Sequence, residues 1–170
     1  MSVQRRASAV ILAGLIVGAI SGAALGVLWS ALAPRVPIVV QEGAAVPDSF
    51  QPEEYFASDM AFGVLALVAG IAIAIGLAYM RREHLLSVLI AALLSSAVGT
   101  TAMWFVGTRL GSVDIEGLEA TTEPVVMDGP LEVSLGAMFL MWPLASAAVI
   151  TVLALSDWIS EVRSRARSAR

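Results

Sequence analysis

The stretch GLIVGAISGAALG, residues 14–26, sets Gly14, Gly18, Gly22 and Gly26 at intervals of four within an otherwise apolar run. In water, a helix loses about 1 kcal/mol for each glycine that replaces an alanine. Four such losses along one line predict a helix that needs the bare stripe. A step of four residues advances about 40° around an ideal helix, so the glycines form a shallow, slowly spiralling groove. Lipid gives helices no hydrophobic reason to associate, and small residues permit the close backbone approach that holds them together instead. The stripe is therefore read as the packing surface of a membrane-spanning helix. Two partners suit it: a later span in which Ser87, Ala91, Ser95 and Gly99 repeat small residues at the same interval, or the first span of a second copy.

The rest of the composition agrees with a bilayer. Of 170 residues 58% are hydrophobic and 14% charged, well below the roughly 25% charged residues of a soluble domain. Mean hydropathy is +0.85. Four apolar runs, residues 7–33, 60–80, 85–107 and 131–155, each reach the ~20 residues needed to cross the hydrocarbon core. Backbone polar groups in lipid must be satisfied within the segment, so each run is predicted to be helical. The expected fold is an all-α membrane protein, a four-transmembrane-helix bundle in one domain. Its outer loops are 34–59 and 108–130, and its tail is 156–170. The first run is too long for a signal-peptide core, and Pro34 follows the "ALA" that imitates a cleavage site, so the run is read as uncleaved.

Charge sets the orientation. Arg5, Arg6, Arg81, Arg82, Arg163, Arg165, Arg167 and Arg170 fall on one side of the four spans, and Arg35 and Arg109 on the other. The positive-inside rule places both termini and the RREH turn in the cytoplasm of a bacterial plasma membrane. Eleven of the fourteen acids lie on the outer side, from Glu42 to Asp59 and from Asp114 to Glu132. Each outer loop also carries a β-branched run beside proline, PIVVQ at 37–41 and EPVVMD at 123–128, and these are expected to pair as a small extracytoplasmic β cap.

The two halves correspond at a shift of 73 to 75 residues. Trp29 and Arg35 match Trp104 and Arg109, while Asp59 with Gly63 matches Glu132 with Gly136. This suggests two duplicated helical hairpins related by an axis along the membrane normal. It also predicts ion pairs at the outer boundary among Arg35, Asp59, Arg109 and Glu132, which would ease the cost of charge near lipid. Pro143 is expected to kink the fourth span, with Met138, Met141 and Trp142 filling the space beside it. The tail, with Trp158, Arg163, Arg165 and Arg167, suits a helix lying at the lipid interface.

Chemistry is sparse. The chain has no cysteine, and His84 is its one histidine, so no triad, thiolate site or histidine metal cluster can be assembled. No cofactor, metal or nucleic-acid partner is expected, and Met60, Met127 and Met138 near the outer side do not make a copper site. The sequence LWSALAP, followed by PEEYFASDMAFGVLALVAG, a basic turn and a third span ending TRLG, resembles a family of small actinobacterial membrane proteins carrying a domain of unknown function. The resemblance spans about residues 9–111, with EEYFASD its most distinctive element. It implies a four-span membrane protein and no activity. The expected role is a non-enzymatic accessory or assembly component that packs by its glycine face into a homo-oligomer or onto another membrane protein. A small transporter or channel subunit is the alternative.

Overall fold

The computed structural model describes residues 2–41, 44–48, 52–80, 85–113 and 124–168. Four long helices dominate: α1 (Ser2–Leu32), α2 (Pro52–Met80), α3 (Leu85–Leu110) and α4 (Met141–Ser168), the last preceded by a short 3-10 helix at Gly136–Leu140. All four are long and apolar enough to cross a membrane. Their surfaces are inverted relative to a soluble bundle. Large side chains such as Leu12, Ile20, Val68, Ile75, Leu86 and Val152 point outward, and many buried positions hold small residues, Ala66, Ala74, Ala78, Ala91, Ala92, Ser95 and Ser96, beside the larger Trp29, Phe62, Met103 and Trp142. This is the pattern of a bundle in lipid, which solvates large outward residues while close helix approach selects small ones.

The helices pair in parallel. Gly14 of α1 lies against Ala91 of α3, Gly18 against Ser95, Gly22 against Gly99 and Gly26 against Met103, one step of four meeting another. The glycine groove is thus filled by the chain's own third span, one of the two partners its spacing suits. In the same way α2 packs on α4. Gly63 faces Met138 and Met141, Gly70 faces Trp142 and Ala145, and Ser146 Oγ donates to the Gly70 carbonyl at 3.1 Å. A cluster of Ala74, Ala78, Val88, Ala92 and Ile150 closes the opposite end of the bundle from the sheet.

Three strands, β1 (Pro37–Gln41), β2 (Ala44–Pro47) and β3 (Val125–Asp128), form an antiparallel sheet in the order β2-β1-β3. The two β-branched runs pair with each other, Val39 opposite Val126 and Ile38 opposite Met127. β2 adds a strand from a segment with no such run. The sheet has a buried face, with Ile38 and Val40, and an open one, with Val46 and Val126. This is the period-two alternation of a half-covered sheet.

Several expected boundaries move. The residues PEEYFASD belong to α2, not to a loop, because Pro52 begins the helix and Glu53 and Glu54 sit in its first turn, where proline and acids are favoured. Residues 131–135 are not helical, and the fourth span starts with the 3-10 helix. Pro143 follows the 3-10 to α junction by two residues, so it lies in the first turn of α4. There its missing N–H removes no helical bond, and the irregularity expected at the proline is located before it. In the tail, α4 continues unbroken to Ser168. The RREH turn with His84, and most of the acidic segment after Val113, lie outside the described residues.

Candidate functional site

The sheet end of the bundle concentrates the polar structure. Asp59, in the second turn of α2, is 1% exposed. Its Oδ1 accepts the Ser134 amide at 2.9 Å and its Oδ2 accepts the Leu135 amide at 2.8 Å. These two N–H groups immediately precede the 3-10 helix, so one carboxylate binds α2 to the start of the fourth span. Both oxygens are engaged by backbone donors, which makes Asp59 a clasp. Beside it Trp29 Nε1 donates to the Ser58 carbonyl at 3.2 Å, tying α1 to α2. The Trp29 ring meets Phe62 edge-on, with centroids 5.0 Å apart, and lies on the bare backbone of Gly107.

The second buried indole is seated in the same manner. A Cβ on Gly99 would lie 2.6 Å from the Trp142 ring, and Gly99 meets Gly22 through its own backbone. Gly99 therefore admits α1 on one side and an indole of α4 on the other. Trp142 packs against Gly70 as well, and Met138 and Met141 pack against Gly63. Met138 belongs to the apolar cluster around Trp29 and Phe62.

The boundary charges do not form the expected ion pairs. Arg165 pairs with Glu161 on α4. Asp59 is held by backbone amides. Arg35 reaches the Ser30 carbonyl at 3.5 Å. Arg109 lies over the Phe105 ring, 5.1 Å from its centroid. Glu132 is exposed. The physical reason lies in Asp59: two consecutive amides at a non-helical chain segment satisfy a buried carboxylate without the desolvation of a guanidinium. Trp158 is 62% exposed, and Arg163, Arg165 and Arg167 are exposed on the extension of α4.

Around Arg35 three chain segments converge on a small notch. It is lined by Pro34, Arg35 and Val36 from the α1–β1 connection, by Tyr55 and Ser58 of α2, and by Pro130, Leu131 and Glu132 after β3. Deeper in the bundle Ser95 Oγ, Thr100 Oγ1 and Trp142 Nε1 are buried without a hydrogen-bond partner, as is Ser58 Oγ at the notch. Among the described residues no three His, Cys, Asp or Glu side chains come together in a group able to hold a metal ion.

The glycine stripe, Ser95 and Gly99 are legible in the sequence as packing residues; Tyr55, Ser58, Ser134, Gly107 and the indole seats are not. The available signal for the last was the presence of Trp29 and Trp142 in a chain whose third span carries Gly99 and Gly107. The fold is a bundle of four helices long and apolar enough to cross a membrane, with a three-stranded sheet at one end. No family model, curated protein or solved structure matches it.

Proposed function

We propose that the chain is a non-enzymatic multi-pass component of a bacterial plasma membrane, with both termini cytoplasmic and the sheet as an extracytoplasmic cap, serving as an accessory or assembly subunit. The observation that carries this reading is Asp59. Among the described residues it is the buried carboxylate, and both its oxygens are bound to backbone amides, an architectural role. The sided distribution of arginine, eight against two, supports the orientation. An origin in two hairpins is part of the proposal and is supported by the parallel pairing of α1 with α3 and of α2 with α4. The equivalence is uneven at the residue level, since Trp29 is buried while Trp104 is 40% exposed. The resemblance of EEYFASD and its surroundings to the actinobacterial family contributes no activity to this reading.

A transport or channel subunit is the second reading. It is favoured by the unpartnered polar atoms of Ser95, Thr100 and Trp142 within the bundle, since such groups are commonly satisfied by water. The separating experiment is mass spectrometry of whatever copurifies in mild detergent with a tagged copy expressed at its native level, together with ion and solute flux in proteoliposomes holding this chain alone. A stoichiometric membrane-protein partner and no flux support the accessory role. Flux from the chain alone overturns it in favour of transport.

A further inference from the structure

The outward face of α3 carries a groove of about 490 Å³, lined by Ala97, Val98, Thr101, Ala102 and Phe105. Small side chains make its floor, and the Thr101 hydroxyl donates to the Ala97 carbonyl at 2.8 Å, so the polar group among them is satisfied within the helix. The groove therefore presents hydrocarbon. Phe105, 52% exposed, stands at one end. There the Arg109 guanidinium lies over the Phe105 ring, 5.1 Å from its centroid, which fixes a cation at the end of the apolar surface. Two residues further on, the Gly111 carbonyl accepts the Leu131 amide at 3.1 Å, so this is the sheet end of the bundle.

The groove differs from the helix seams of the same chain. α1 meets α3, and α2 meets α4, over glycines that bring backbones together. None of the five residues lining the groove is glycine, and the projecting Phe105 ring holds a second helix backbone away. A flexible acyl chain passes such a ring. Ala97 to Phe105 rises about 12 Å and Arg109 stands about 6 Å beyond, so a chain and its phosphate match one leaflet of a hydrocarbon core about 30 Å thick.

We infer that this groove, on the membrane reading proposed above, holds an acyl chain of an anionic phospholipid whose phosphate is bound by Arg109. A guanidinium offers paired N–H donors to phosphate oxygens. Phosphatidylglycerol brings no cation to offset that attraction, whereas the choline of phosphatidylcholine does. Selectivity therefore rests on Arg109, and affinity on the filling of the groove.

The test is native mass spectrometry of the full chain in detergent, titrated with phosphatidylglycerol and phosphatidylcholine of identical acyl chains. The attraction of one arginine for an anionic lipid predicts about fivefold stronger retention of phosphatidylglycerol. Arg109→Gln should bring the two lipids level. Ala97→Leu and Thr101→Leu, both at exposed positions, should fill the groove and weaken retention of both lipids without lowering the melting temperature. Equal retention by the unsubstituted chain, a preference unchanged by Arg109→Gln, or retention unchanged by both leucine variants overturns the site and leaves the membrane reading intact. A lipid-independent dimer that Thr101→Leu disrupts assigns the groove to a second copy and equally overturns the lipid site. A chain that stays monodisperse without detergent overturns the membrane reading itself.

Discussion

Gly22 and Gly99 meet backbone to backbone across the α1–α3 seam. A Cβ on Gly22 would fall 2.8 Å from the Gly99 Cα and closer still to its carbonyl oxygen. Backbone atoms have no rotamer by which to yield, and behind Gly99 stands the Trp142 ring. Gly22→Ala should therefore force the seam apart, costing about 1–3 kcal/mol in the manner of an overpacked core. Gly14→Ala should cost less, because its Cβ would meet the Ala91 oxygen at 3.2 Å and the Ala91 Cβ at 3.6 Å. Gly76 has open space around it, so Gly76→Ala should be neutral or stabilising through helix propensity. Thermal unfolding of the three variants in one detergent checks the order.

Asp59→Ala leaves the Ser134 and Leu135 amides without their acceptor. The two bonds are part-buried, and an unsatisfied donor costs up to about 1–3 kcal/mol where it is buried, so this variant should be clearly destabilised. Asp59→Asn keeps one acceptor oxygen but sets an amide N–H₂ against the second backbone N–H, and should fall between wild type and Asp59→Ala. Equal stability of all three proteins in detergent melts would contradict the clasp.

Much of the bundle is written in its sequence at the level of spacing. Glycine at every fourth position and small residues at the same interval near Ser95 and Gly99 suffice to propose α1 against α3, because close approach requires them on both helices. What spacing leaves open is whether the partner copy is the same molecule. A groove has the same shape for either occupant, and only the connection through α2 brings α3 alongside in parallel. The start of α2 was also legible, in Pro52, Glu53 and Glu54, but the acids drew the segment into the outer loop. The ion pairs failed for a different reason. Matching charge types says nothing of backbone donors, and the amides of Ser134 and Leu135 become available only because residues 131–135 are not helical.

Trp29 and Gly107 form a coupled pair, the indole resting where a side chain would stand. Trp29→Phe removes the hydrogen bond to the Ser58 carbonyl and should cost about 1 kcal/mol. Gly107→Ala should destabilise strongly in the wild-type background and much less with Trp29→Ala, since the methyl then has somewhere to go. A double-mutant cycle reads this as an interaction energy of about 0.5–3 kcal/mol. Simple additivity would show that the two residues do not share the contact.

The sheet makes its own prediction in amide exchange. β1 is flanked on both sides, so the amides of Ile38, Val39 and Val40 should exchange more slowly than those of β2 and β3 at the edges. Exchange of all three strands within a minute in detergent would remove the sheet.

The most direct test of the internal glycine seam uses the natural absence of cysteine. A Cβ on Gly14 lies 3.6 Å from the Ala91 Cβ, within the range a disulfide requires. In membranes, the double substitution Gly14→Cys and Ala91→Cys should oxidise to a crosslink within one chain. This would be seen as an intact monomer whose two thiols resist alkylation until reduction. A disulfide-linked dimer from Gly14→Cys alone, or two freely alkylated thiols in the double variant, would contradict the packing of α1 on α3.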